Sequence, residues 1–397
     1  MIQLSDRLLA MEESATIAMS RKSRELKALG KDVISLSLGE PDFNTPEFIK
    51  DAATEAMKNN YTKYMPVPGF EDLRENISMK FKRDNNLSYS KDQIVVSTGA
   101  KQSIANVVMT LINPGDEVII PAPYWVSYIE IVKVSGGIPV IVNAGIDRDF
   151  KITGDDLSKA ISPRTKLMIF STPCNPTGSV YSKEELRNLA DVLKANPSVV
   201  ALCDEIYEHI NFEGKHESLA QFGDIYNQVV TVNGVSKAWA MTGWRLGYIG
   251  APKEIADACS KVQGQFTSGT CSISQKAAIA AMQAEPDVLN DMISAFRSRR
   301  TLVLDFLNDI PGIITNNPGG AFYVFPDCSD YFGKSDGNTT IGNSSDLCMY
   351  LLDKALVALV AGDAFGDPNC FRISYAASEE TLMEAMRRIK NALSKLN

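Results

Sequence analysis

Short runs of aliphatic and β-branched residues recur through the first two thirds of the chain. Six stand out: 94–98, 118–120, 139–142, 167–170, 199–202 and 229–232. Such short continuous runs predict strands buried on both faces of a sheet. Helical spacing separates several of them. After Gly99, the apolar residues Ile104, Val107, Val108 and Leu111 fall at i, i+3, i+4 and i+7, which is one face of a helix. Ser182-Lys183-Glu184-Glu185 has the form of a capping box and predicts a helix start. Strands alternating with helices predict a mostly parallel α/β sheet.

The pattern changes after about residue 290. A charged helical stretch covers Phe296 to Leu307, a short strand pattern covers Ala321 to Val324, and a last helix is expected from Glu379 to Leu396. These elements predict a second, smaller α+β domain. A length of 397 residues fits two or three domains.

Composition and charge narrow the function classes. The net charge of -8 disfavours nucleic acid and anionic membranes as partners. No apolar run is long enough to span a bilayer, and the start lacks the basic-then-apolar form of a secretory leader. The seven Cys include no C-x-x-C pair, which points to buried thiols in a reducing compartment and a cytoplasmic location. The two histidines, His209 and His216, are too few for a multi-His metal centre, and both are expected to be structural. No metal is expected.

The candidate chemistry sits where predicted strands end. Lys237 follows the Val229–Val232 run among small and apolar neighbours, where desolvation would make its amine nucleophilic. Ser236 and Arg245 flank it and could bind an anion. Asp204 ends another run, where ligands of open α/β sheets collect, with Tyr207 three residues on. Each also has an ordinary reading: a surface turn for Lys237, a helix N-cap for Asp204. Asn175 lies in the rigid turn Ser171-Thr172-Pro173-Cys174-Asn175-Pro176-Thr177-Gly178. Ser97-Thr98-Gly99-Ala100-Lys101-Gln102 joins a strand to a helix and offers backbone N–H groups to a phosphate. Together these groups ask for one ligand with a phosphate, a basic ring nitrogen, a phenolic oxygen and an aldehyde.

These residues stand within an ordered series of motifs: SATIAM, LGEPDFNTP, TKYMPVPG, STGAKQ, PYWVSY, CNPTG, CDEIYE, SKAWAMTGWR, GGAFYV and FRISYA. In that order and over nearly the whole chain, the sequence resembles the class I and II aminotransferases of fold type I, and within them bacterial aspartate aminotransferases of subgroup Ib. The resemblance implies a pyridoxal-phosphate-dependent enzyme with a seven-stranded, mostly parallel sheet. It implies an N-terminal arm with part of the small domain over residues 1–47, a large cofactor-binding domain over 48–289 and a small domain over 290–397. It also implies a homodimer with shared active sites.

Roles follow residue by residue. By resemblance, Lys237 carries the cofactor as a Schiff base and moves the proton, Asp204 pairs with the ring nitrogen, and Tyr207 and Asn175 hold the ring oxygen. Trp125 stacks on the ring. Gly99, Ala100, Lys101, Ser236 and Arg245 hold the phosphate, and Tyr64 reaches the neighbouring subunit's phosphate. Arg372 and Gly39 meet the substrate α-carboxylate. Lys101, with Ser14 and Thr16 nearby, would take the distal carboxylate of a dicarboxylic substrate. Trp125 and Asn175 therefore border substrate as well as cofactor. The implied reaction moves the amino group of aspartate to 2-oxoglutarate with ping-pong kinetics. Prephenate-active relatives carry a basic residue at the position of Glu12, so prephenate is not expected as a substrate. Three alternatives stay open: other chemistry on the same cofactor, such as a lyase or an aromatic or kynurenine-type aminotransferase; a cofactor-sensing regulator, for which an added DNA-binding domain has no room; and a nucleotide-dependent dehydrogenase, whose G-x-G-x-x-G is missing.

Overall fold

The computed structural model describes residue 2, residues 4–9 and residues 11–397. Seven strands form the central sheet: β1 Ile94–Ser97, β2 Glu117–Ala122, β3 Ile138–Asn143, β4 Thr165–Ser171, β5 Val200–Asp204, β6 Val229–Gly234 and β7 Gly247–Gly250. Their order is β1-β7-β6-β5-β4-β2-β3. Neighbours pair in parallel except at β7, which runs antiparallel to both β1 and β6.

Alternation of side chains along each strand fills two separate cores. Ile119, Met168, Phe170, Ala201 and Cys203 face one core. Val118, Ile120, Leu167, Ile169, Leu202, Val230 and Val232 face the other. A sheet covered on both faces buries every position of a strand, which is why these runs are continuous rather than alternating. The expectation of two buried faces fails at β3. That strand is at the sheet edge, and its Ile138 and Ile141 are exposed. Strand β7 was not anticipated, because Gly247-Tyr248-Ile249-Gly250 has two glycines where a strand pattern needs apolar side chains. The reason for Gly247 is steric: a Cβ there would collide with the backbone of Gly99 and Ala100.

The helices that position the site are α1 Ala15–Ala28, α2 Glu71–Asn85, α3 Ala100–Leu111, α4 Lys183–Ala195, α5 Asn290–Asn308 and α6 Glu379–Leu393. The capping box is present: the Ser182 hydroxyl accepts from the Glu185 N–H, and the Glu185 carboxylate accepts from the Ser182 N–H at 2.7 Å. Such a cap is worth about 1 kcal/mol. Helix α5 extends further than its charged stretch suggested, and α6 ends three residues before Leu396.

Beyond the central sheet, Ile34–Ser35 pairs in parallel with Val357–Ala358. A second small sheet joins β8 Tyr323–Val324, β9 Val360–Ala361 and β10 Phe371–Ser374, with β10 in the middle and antiparallel to both. The strand expected over 321–324 is shorter than its pattern: Ala321 has φ of +57°, which breaks extended backbone there. Strand β10 carries Arg372.

Candidate active site

The five parallel strands β1, β2, β4, β5 and β6 each deliver a candidate residue just beyond their carboxyl ends. Gly99 follows β1, Trp125 follows β2, Asn175 follows β4, Asp204 ends β5, and Ser236 and Lys237 follow β6. A parallel sheet gathers these loops on one edge, and that edge is where open α/β sheets bind ligands. A cavity of about 250 Å³ lies there, lined by Ala100, Lys101, Trp125, Asn175, Asp204, Tyr207, Ser236, Lys237 and Arg245. The other segments of the chain close it with Ser14, Thr16, Gly39, Tyr323 and Arg372.

Lys237 is the amine of the cavity. Its Nζ donates to the Gly39 carbonyl at 2.6 Å. Burial, and then the Arg372 guanidinium, pull its pKa down to about 8, so a sizeable share of the amine is neutral near physiological pH. Asp204 is 5% exposed and accepts the Tyr128 hydroxyl at 2.8 Å and the Ile206 N–H at 3.2 Å. Burial pushes it up to about 6 against those hydrogen bonds. No helix follows it, so it is not a helix N-cap.

Tyr207 is buried, and its hydroxyl shares a 2.7 Å hydrogen bond with that of Tyr323. Arg372 is almost fully buried, donates to Asn175 Oδ1 at 2.8 Å and to the Ser37 carbonyl at 2.5 Å, and leaves Nε without a partner. Its guanidinium is 4.6 Å from the Tyr323 ring centre and 4.9 Å from that of Phe365, a cation held between π faces. Lys101 Nζ sits 4.9 Å over the Trp125 ring.

Gly99 has φ of +83°, and a Cβ there would strike the Arg245 guanidinium. The start of α3 and Arg245 thus meet at one point. Arg245 itself donates to the Thr242 carbonyl at 2.7 Å, with φ of +56°. The first N–H groups of a helix have no intrahelical acceptor and favour an anion.

Tyr64, Glu12 and Gly99 lie outside the cavity lining. Tyr64 is 99% exposed and does not reach this chain's cavity. Glu12 does not line it either; its backbone N–H donates to Glu130 at 3.0 Å. Tyr128 and Tyr323, which no sequence pattern marks, also line the cavity. Both lie within the motifs PYWVSY and GGAFYV, but nothing in the sequence tells which of several aromatic residues turns inward. His209 and His216 lie outside the cavity lining, and all seven cysteines are free thiols.

A ring with a phosphate fits this donor set. An anion-favouring helix start and Arg245 lie at one end, a flat indole lines the wall, and a buried carboxylate and a buried amine complete it.

The model of the aminotransferase class I and II family matches residues 31–389, and the chain belongs to that family. The protein is an aminotransferase. It is similar over 390 residues, at 48% identity, to a probable aspartate/prephenate aminotransferase of Rhizobium leguminosarum bv. phaseoli, covering 98% of each chain. A bifunctional aspartate aminotransferase and glutamate/aspartate-prephenate aminotransferase of Petunia hybrida is 47% identical, covering 99% of this chain and 83% of its own. Among solved structures, the aspartate aminotransferase of Rhizobium meliloti superposes with a TM-score of 0.97 at 43% identity, covering all of both chains.

Among the described residues, no helix is long and apolar enough to cross a membrane.

Proposed function

We propose that the protein transfers the amino group of L-aspartate to 2-oxoglutarate with pyridoxal 5′-phosphate held in this cavity. The observation that carries the reading is the grouping of Lys237, Asp204 and Arg372 in one cavity, with a lowered amine and a raised carboxylate. When bound, pyridoxal phosphate supplies an electron sink for the carbanion formed at the amino acid Cα.

The chain's own residues do the rest. Gly99, Ala100, Ser236 and Arg245 hold the phosphate, and Trp125 covers the ring. Asp204, kept in place by Tyr128, pairs with the ring nitrogen. Tyr207 and Asn175 hold the ring oxygen. Arg372 binds the α-carboxylate, and the Lys237 amine takes the proton from Cα as general base and returns it as general acid. Burial excludes water from that proton transfer.

The test is direct. Protein incubated with pyridoxal phosphate and reduced with borohydride should carry the mass of the reduced cofactor on the Lys237 peptide, and should convert aspartate and 2-oxoglutarate to oxaloacetate and glutamate. A label on another lysine, or none, would refute the assignment.

Lys101 supports the choice of a dicarboxylic substrate, since it adds a second cation to the same cavity. It is an exposed side chain, so its contact is only partly desolvated and its share is that of a charged hydrogen bond in partial contact with water. Lys101→Ala is expected to lower kcat/KM for aspartate about tenfold while changing that for alanine less than about twofold, the size of a charge-assisted hydrogen bond. Equal losses on both would make Lys101 a phosphate or structural residue. Prephenate belongs in the same assay as an amino acceptor, because relatives are named for it and Glu12 does not line the cavity.

The exposed Tyr64 supports a two-fold dimer in which each copy completes the other's phosphate site. Tyr64→Phe is expected to weaken pyridoxal phosphate binding about fivefold, the size of one lost hydrogen bond, with sedimentation unchanged at the dimer. A fully active monomer in analytical ultracentrifugation would rule out the shared site.

A further inference from the structure

Asp204 is the last residue of β5, paired with Val232 of β6, and Tyr207 stands in the turns over 206–209 that follow it. These two side chains line the cavity, whereas Glu205 and Glu208 do not. Both glutamates are buried, at 0% and 4% exposed. Each is met by a buried basic side chain. Lys80 of α2, 2% exposed, places its ammonium against Glu208. Asn85 joins them, accepting from Lys80 at 2.9 Å and donating to Glu208 at 2.7 Å. His216 Nε2 lies 3.0 Å from Glu205, which also accepts the Ser218 hydroxyl at 2.7 Å.

The charges match. Burial opposes ionisation of Glu208, but Lys80, His209 and His216 outweigh it and hold the carboxyl well below the usual range. Burial likewise lowers His216, yet Glu205 beside it outweighs that and leaves the imidazole raised. Asp84 and His209 complete the cluster, with His209 Nε2 at 3.2 Å from Glu208 and 3.7 Å from Asp84. Lys80 already supplies the positive charge that a metal ion would bring to these carboxylates.

Ion pairs this deeply buried contribute little net stability, because desolvation offsets their attraction; what they fix is one arrangement. Here the arrangement is that of the turn itself. The anchors fall at the residues directly after Asp204 and directly after Tyr207, so a shift at either moves the carboxylate or the phenol. Displacements of about 1 Å at such groups can cost about a hundredfold in rate.

We infer that the Lys80–Glu208 and His216–Glu205 pairs are positioning devices that fix Asp204 and Tyr207 from behind, touching neither substrate nor cofactor. This rests on the reading of the cavity given above.

The test compares Lys80→Met, Glu208→Gln and the double variant in the full-length protein loaded with pyridoxal phosphate. Four quantities are read: kcat, KM for aspartate, the pH midpoint of the visible absorption change, and Tm. The single variants leave one buried charge unpaired and lose Tm. The double variant removes both charges and recovers most of it. In the recovered double variant kcat is expected to remain roughly tenfold low with KM within about twofold, as for a group acting only in the transition state, and the absorption midpoint to remain displaced. A double variant with normal kcat and midpoint would show the network to be structural only, and a change confined to KM would also overturn the inference. If the double variant does not fold, the near-isosteric Glu208→Gln is read by the same criteria. If the unmodified protein takes up no pyridoxal phosphate, the cavity reading itself fails, and the variants play no part in that result.

Discussion

Lys237→Ala protein is expected to fold and to lose transamination by at least about four orders of magnitude, or about 5.5 kcal/mol of transition-state stabilisation. Two roles end with one side chain. In the proposed mechanism the amine is both the covalent anchor of the cofactor and the base that moves the Cα proton; no other amine in the cavity lining can replace it, because Lys101 is turned onto the indole of Trp125. The fold should tolerate the change. The buried amine has one hydrogen bond, to Gly39, against the cost of desolvating its charge. A companion measurement uses the lowered pKa. Since only the neutral amine is nucleophilic, the rate at which unloaded protein captures pyridoxal phosphate should rise with pH and level off above about 8. A capture rate that climbs on toward the ordinary lysine range would mean that Lys237 is not desolvated in solution. Near-normal turnover of Lys237→Ala would remove the basis for the whole mechanism.

How much of this was legible in the sequence depends on which physical rule each residue obeys. The continuous runs that became β2, β4, β5 and β6 are readable because a doubly covered sheet demands apolar residues at every position. The loops after them are readable because a parallel sheet puts the carboxyl ends on one edge, so Asn175, Asp204 and Lys237 must converge. Strand β7 follows a different rule. Its glycine answers to the backbone of Gly99 and Ala100, a contact 147 residues away in sequence, and no local pattern announces that. Tyr128 and Tyr323 were hidden for a related reason: whether a tyrosine points into a core or into a cavity is set by which groups face it across the fold. Glu205 and Glu208 look like an exposed acidic run in the sequence. Their partners Lys80 and His216 come from other segments, and only the tertiary structure turns four charged residues into a buried network.

Arg372→Lys is expected to reduce kcat/KM for every amino acid substrate by roughly 30- to 4,000-fold, corresponding to about 2–5 kcal/mol for breaking one side of a buried, hydrogen-bonded charge pair. The substitution keeps the positive charge. That matters because the Arg372 guanidinium is the second contributor, after burial, to the lowered pKa of Lys237, and a neutral residue would disturb the amine as well. What lysine cannot reproduce is the planar fork. In the structure the guanidinium lies 4.6 Å from the Tyr323 ring centre and 4.9 Å from that of Phe365, with one nitrogen on Asn175 and another on the Ser37 carbonyl. That setting holds the guanidinium in place before any substrate arrives, and a planar fork can give a carboxylate two parallel donors. An ammonium on a flexible stem offers one, and its other protons face π surfaces that cannot accept them as well as a carboxylate does. The loss should appear mainly as a raised KM, with the visible spectrum of the loaded protein unchanged, and it should be the same for aspartate as for alanine. The comparison with Lys101→Ala gives the assignment its edge: one variant affects all amino acids, the other only those with a second carboxylate. If Arg372→Lys instead spares alanine and penalises aspartate alone, Arg372 holds the distal carboxylate, and the orientation of the substrate in the cavity is the reverse of the one proposed here.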